Sequence, residues 1–340
     1  MNRERASLPA YRPPATRQRR LGAAAVTLLL CLGSAGCFST RPLSAAYPGP
    51  AARTAELETR FAYRPLVGEN TREVIGEKRH YTVEKVRLMP EDSTGDDASD
   101  PLVLEYYRVA GEGPRPAALV LPILAGKNRV ARQFAGYFAS HGLPSVIVYT
   151  RQKDNLLADL SDPEAAIRRA VARHRQALDW MSGLDEIDAD RIGVFGASLG
   201  GFNALFLAAA DPRVKAVVPA LAGADLPRLL VASEERRIAK NVDKFRDERG
   251  WSDEQMEDYL RSAIASDPLE LAGYIDARDA LMIIARYDDS VPYLSQLQLR
   301  QALGEPEALV LTSGHVSSLL YLPYLKWKVL EFFRKHLDFS

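Results

Sequence analysis

At 340 residues the chain is long enough to bury a full hydrophobic core without covalent staples. Lysine plus arginine balance aspartate plus glutamate at 44 each, leaving no global charge for nucleic acid or an anionic surface to recognise. The two cysteines, Cys31 and Cys37, lie together near the N-terminus, so disulfides, thiolate metal sites and cysteine catalysis are excluded for the rest of the chain. A P-loop, a dinucleotide fingerprint, clustered His/Asp metal spacing and internal repeats are all missing from the sequence. No metal or organic cofactor is implied.

The first element is a targeting segment. Arg17-Gln18-Arg19-Arg20 precedes the apolar stretch Leu21 to Leu32, which ends in small residues, the pattern of a secretory signal. Ser34-Ala35-Gly36-Cys37 resembles a bacterial lipobox, with serine where leucine is usual. That resemblance implies cleavage before Cys37 and lipidation of its thiol. Phe38 follows in place of an aspartate retention signal, which points to a cell-envelope protein on the periplasm-facing outer membrane. An ordinary signal peptide and an uncleaved anchor are the alternatives. Residues 38–60, rich in Pro, Ala, Ser and Thr at their start, read as a tether to a domain spanning 61–340.

Strand and helix patterns then alternate. His80 to Leu88 and Leu102 to Val109 read as strands joined by an acidic loop, Pro90 to Asp100. Ala117 to Leu121 is an apolar strand, Arg129 to Ser140 a helix stopping at Gly142, and Pro144 to Tyr149 another strand. Asp162-Pro163 opens a helix over Glu164 to Met181, closed by Gly183. Arg191 to Phe195 is a strand, Phe202 to Ala210 a helix, and Val214 to Pro219 a strand. This alternation predicts an α/β fold with a doubly wound, mostly parallel sheet and right-handed crossovers.

Between the strand and helix on either side sits Gly196-Ala197-Ser198-Leu199-Gly200, a G-x-S-x-G sequence. A sharp strand-to-helix turn lifts a serine hydroxyl clear of the sheet, and the following helix aims unpaired amides and its positive end at the reaction centre. Ser198 is therefore the candidate nucleophile. In this arrangement an acid and then a histidine follow in the chain.

About sixty residues without an obvious strand come next, with helical patterns at Leu226 to Val231, Glu234 to Phe245 and Asp253 to Ile264. That length is unusual for a loop, and a helical cap inserted at about 222–277 is expected. Its apolar positions Leu229, Leu230, Trp251, Tyr259 and Leu260 either shape a pocket or merely pack. Ala280 to Ala285 is a buried strand leading to Asp288 and Asp289. Asp288 is expected to orient the imidazole, and Asp289 to cap the helix opening near Pro292. Ala308 to Leu311 is a strand that ends beside His315, where ligands of open α/β sheets gather. His336 sits in a terminal helix and reads as an ordinary helix residue.

These segments carry a family resemblance. Ile187 to Gly201 resembles the elbow region of α/β-hydrolases, and is similar to the dienelactone-hydrolase-like and prolyl-oligopeptidase-like branch. Asp288-Asp289-Ser290-Val291-Pro292 is similar to that branch's D-x-x-V-P acid segment, which favours Asp288, and Gly314-His315 to its histidine loop. The resemblance runs from about Leu102 to the C-terminus and implies an eight-stranded sheet and hydrolysis of an acyl bond. Two backbone donors should hold the oxyanion. One is the amide of Leu199; position in the family nominates Leu124 for the other, with Ile123 as alternative, where relatives often carry His-Gly and this chain has Pro122-Ile123.

The expected activity is an exported serine hydrolase acting on a carboxylic ester through a Ser198-His315-Asp288 triad. A peptidase or amidase of the same fold is the second reading, with a small ester or short peptide as substrate. A lipid-anchored binding protein without turnover is the third.

Overall fold

The computed structural model describes residues 38–65, 70–89, 101–111, 113–123, 128–149, 156 and 159–340. The signal segment with Cys37, the acidic loop 90–100 and Leu124 lie outside the described residues. Within them, ten strands form one sheet: β1 (Phe38–Arg41), β2 (Asn70–Glu77), β3 (Tyr81–Leu88), β4 (Leu102–Val109), β5 (Arg115–Leu121), β6 (Ser145–Val148), β7 (Ile187–Ala197), β8 (Val214–Ala220), β9 (Leu281–Ala285) and β10 (Glu307–Leu311). Their order is β1-β10-β9-β8-β7-β5-β6-β4-β3-β2.

From β6 through β10 each neighbouring pair runs parallel, whereas β2, β3 and β4 form an antiparallel flank joined to β6. The centre is parallel because both its faces are covered: β5, β6 and β9 are buried along almost their whole length, as continuous apolar runs require. The doubly wound α/β architecture is the one expected.

Two edge strands exceed the eight expected. β2, with sequence NTREVIGE, is exposed at all but one position, so burial imposes no alternation that a sequence could display. β1 lies within the stretch read as a tether. That stretch is structured further: helix α1 (Ala55–Arg60) is capped by Thr54, and Leu57 and Phe61 are buried in the core. Its turn-rich composition hid two apolar residues at helical spacing.

The helices follow their local signals. Helix α2 (Arg129–Ser140) turns Phe134 and Phe138 inward, where Phe134 stacks on Phe195 of β7 with ring centroids 3.9 Å apart. Helix α3 (Pro163–Ser182) starts with Asp162 accepting from the Ala165 amide and with proline in its first turn. Helix α4 (Leu199–Ala210) is apolar nearly all round and buried, as a helix enclosed by other elements must be.

Between β8 and β9 lie α5 (Leu226–Ala232), α6 (Arg236–Asp247), α7 (Asp253–Ala263) and α8 (Pro268–Leu271). Ser252 and Gln255 form a reciprocal capping box at the start of α7. The carboxylate of Asp267 ties both ends of the segment together, accepting from the amides of Asp225 (3.2 Å), Leu226 (2.5 Å) and Leu269 (2.8 Å). Burial pushes the Asp267 carboxyl above its ordinary range, against those three amides. Helix α9 (Tyr293–Ala302) and helix α10 (Leu322–His336) complete the fold.

Candidate active site

β7 ends at Ala197, and Ser198 adopts φ 54° and ψ −124° before α4 begins. A non-glycine residue at positive φ is strained by about 1–3 kcal/mol, and the surrounding contacts hold it there. The Ser198 amide donates to Ala220 O at 2.8 Å, and its carbonyl accepts from Gly201 (2.8 Å) and Phe202 (3.1 Å). Two glycines make the turn possible. A Cβ on Gly196 would lie 2.0 Å from Gly200 O, and one on Gly200 would lie 2.2 Å from Leu121 O. The second contact also draws the end of β5, and with it Pro122-Ile123, against the start of α4.

His315 follows β10 on the loop that leads into a 3₁₀ turn, Ser317–Tyr321. Its Nε2 lies 3.0 Å from Ser198 Oγ, and its Nδ1 lies 2.8 Å and 3.0 Å from the two carboxylate oxygens of Asp288. The structure thus brings together three residues separated by up to 117 positions. The acid and histidine loops are joined by their backbones, Arg286 N to Leu311 O (2.9 Å) and Tyr287 N to Ser313 O (2.9 Å).

Asp288 has a fully buried side chain and accepts from the amides of Ser290 (2.9 Å) and Val291 (2.8 Å). Asp289 is exposed. It does not take the capping role expected of it: α9 begins after Pro292 with no side-chain cap, because Asp288 already binds the amides of this turn. His336, in the last turn of α10, pairs with Asp279 at 3.3 Å and stacks on Phe332.

Gln296 is the residue that sequence reading missed. It is fully buried on α9, and its amide bridges the end of β9 to the acid loop. Its Nε2 donates to Val291 O (2.7 Å) and Ala285 O (3.3 Å) and lies 3.4 Å from Asp288 Oδ2, while its Oε1 accepts from Ala285 N (3.1 Å). Nothing in a lone glutamine eleven residues beyond a strand signals this.

A cavity of about 290 Å³ opens beside Ser198 and His315. Its walls include Phe134, Phe195 and Phe202 from the main fold, and Leu229, Leu230 and Ile238 from α5 and α6. Among the described residues, charge at the lining comes from Glu235 and Arg237, with Glu235 capping α6 by accepting from the Arg237 (2.9 Å) and Ile238 (3.0 Å) amides. Trp251 and Tyr259 are not among the lining residues; they pack against Phe245, and Tyr259 donates to the carbonyls of Leu160 and Ser161. Leu199 and Ile123 both line the cavity. As the first helical residue, Leu199 has an amide that lies ahead of the intrahelical ladder.

Residues 124–303, just over half of the chain, match the family described as X-Pro dipeptidyl-peptidase (S15 family). A stretch of 125 residues is 33% identical to the acyltransferase drtE of Aspergillus calidoustus, covering 34% of this chain and 37% of that protein. The match therefore spans little more than a third of that relative. Acetyl xylan esterase 1 from a Thermoanaerobacterium species aligns with TM-score 0.65 at 17% identity, over 84% of this chain and 96% of that one. An acetyl xylan esterase from a Paenibacillus species gives 0.62 at 20% identity, over 83% and 92%. At such identities these two show a shared α/β-hydrolase fold. Together with the match over more than half its length, they place this serine hydrolase: the chain belongs to the X-Pro dipeptidyl-peptidase (S15) family.

Proposed function

We propose that this chain hydrolyses a carboxylic ester through an acyl-enzyme on Ser198. The observation that carries the reading is the continuous relay from Ser198 Oγ through His315 to buried Asp288, opening on an apolar cavity. His315 Nε2 takes the hydroxyl proton as Oγ bonds to the carbonyl carbon. The Leu199 amide and a second donor from the loop after β5, Leu124 or Ile123, hold the oxyanion. As the tetrahedral intermediate collapses, the bond to the leaving oxygen breaks and His315 returns the proton to it. Water then repeats the sequence on the acyl-enzyme and releases the acid. Asp288 stays ionised and fixes the ring. The partial relative named as an acyltransferase accords with acyl transfer as the underlying step.

Peptide cleavage is the second reading, favoured by the family itself. Removing a dipeptide from a free amino end calls for a negative group near the ammonium, and among the described lining residues Glu235 is the carboxylate. The test is a panel of p-nitrophenyl esters beside X-Pro peptides, using the full-length protein with Ser198→Ala as control. Serine-dependent ester turnover that survives Glu235→Gln supports the ester reading. Peptide turnover lost in that variant would replace it.

Export and attachment through Cys37 belong to the same proposal and rest on the signal-like sequence. Cys37→Ser should move the protein out of the membrane fraction; an unchanged distribution would count against the lipid anchor. Among the described residues no helix is long and apolar enough to cross a membrane.

A further inference from the structure

The cavity is not uniform. Phe134, Phe195 and Leu230 on its walls are buried, whereas Val316 and Leu319, which also line it, are 74% and 49% exposed. Val316 directly follows His315, and Leu319 lies in the 3₁₀ turn after it. In the proposed reaction His315 Nε2 must hand its proton to the departing oxygen, so the leaving group occupies the His315 side and exits over Val316 and Leu319. The acyl group stays bonded to Ser198 through both steps and extends away from His315, toward the buried walls.

Size then limits what the acyl group is. At about 290 Å³ the whole cavity, its exposed leaving-group side included, has roughly twice the volume of an engineered apolar cavity of about 150 Å³ that binds benzene, which leaves the buried side on the order of that cavity. An acetyl group would leave most of the buried side as water against aromatic and aliphatic walls. We infer that the buried part of this cavity is an acyl pocket for a bulky apolar acyl group of about eight carbons, linear or branched. This rests on the acyl-enzyme reading of Ser198 above. The specificity-determining side chains are Ile238 on α6 and Val130 on α2, partly exposed positions on the lining where added bulk can enter the cavity.

Each methylene moved from water to an apolar wall contributes about 0.8 kcal/mol, or about fourfold. Full-length enzyme should therefore hydrolyse p-nitrophenyl octanoate with kcat/KM about a hundredfold above the acetate ester, after allowance for incomplete burial. Ile238→Trp and Val130→Trp should each lower the octanoate-to-acetate ratio about tenfold. Calorimetry with free octanoate and acetate on Ser198→Ala separates the pocket from the chemistry. Octanoate binding well above acetate, without ester turnover by the wild type, would keep the pocket and reject the acyl-enzyme reading. Serine-dependent turnover that favours acetate, or a ratio unmoved by both tryptophans, would overturn the acyl pocket while leaving the hydrolase intact.

Discussion

Ser198 sits at a strained φ with its Oγ 3.0 Å from His315 Nε2, so on the proposed mechanism substitutions of the nucleophile and of the group behind the imidazole should fail differently. Ser198→Ala removes the attacking oxygen, and turnover is expected to fall by roughly a millionfold with an unchanged thermal melt. Asp288→Asn leaves the loop in place but mis-sets the imidazole tautomer, at a cost of about ten-thousandfold in kcat. Asp289→Asn, on an exposed side chain, should change kcat less than about twofold. Steady-state kinetics on the three variants ranks them, and equal losses at the two aspartates would remove Asp288 from its role. Gln296 acts one step back: its amide ties the Val291 carbonyl and the Asp288 carboxylate of the acid loop to Ala285 at the end of β9. Gln296→Leu should lower kcat and leave KM near the wild-type value, with a shifted pH profile of kcat that a purely structural loss would not produce. Gln296→Glu, which retains Oε1 for the Ala285 amide but adds a second buried carboxylate beside Asp288, should move that profile further.

At the scale of elements, the helical segment between β8 and β9 contributes to both site and core. Its first part, α5 and the start of α6, supplies cavity wall; its second part, α7, packs through Met256 and Leu260. Deleting 228–263 would strip Leu229, Leu230, Val242, Met256 and Leu260 from the core, so the expected product is an unfolded chain rather than a trimmed enzyme, as circular dichroism would show. Point changes are the informative ones. Asp267→Ala leaves the amides of Asp225, Leu226 and Leu269 without their acceptor, and at about 1–3 kcal/mol for a stranded buried group the urea midpoint should drop clearly. A midpoint within error of wild type would mean that the segment is held mainly by its apolar contacts. Glu164 reinforces it from α3, accepting from Ala265 and Ser266.

Across the whole molecule, two buried carboxylates set the response to acid. Burial pushes Glu105 up, but hydrogen bonds from Arg132, Tyr149 and Tyr107 outweigh it and hold the group below the ordinary carboxylate range. Burial likewise acts against Asp211, and Arg213 with Arg175 brings it below that range. Each binds its proton more weakly in the folded than in the unfolded chain. Their stabilisation is therefore present above the unfolded pKa and is lost as pH falls through the folded one. Asp267 has the opposite sign, losing its contribution as pH rises through its raised pKa. Asp159, Asp188 and Asp276 are also held below the ordinary range by hydrogen bonds, so urea midpoints should fall between about pH 6 and about pH 3, and Glu105→Gln should flatten that slope. A slope unaffected by the substitution would assign the acid response elsewhere.

What could be read from the sequence follows the range over which each feature is specified. The strand–turn–helix around Ser198 is largely local: apolar runs set the strands, and Gly196 permits a turn that closes on Gly200, four positions on, although Gly200 itself answers to Leu121 of β5. Capped helices such as Pro163–Ser182 and buried strands such as Leu281–Ala285 carry their signals in adjacent residues, and so does the α/β order; Ser198 and His315 stand out as candidates by their places after strands, whereas the choice of Asp288 leans on resemblance. Tertiary structure decided the rest. Two neighbouring aspartates are chemically alike until the fold buries one against the Ser290 and Val291 amides and leaves the other in water. β2 pairs with β3 through backbone groups that its exposed side chains do not report. His315 meets Asp288 and Ser198, and α5 meets β7 across the cavity, only because the sheet folds distant segments to one end, where contact depends on three-dimensional packing rather than spacing along the chain.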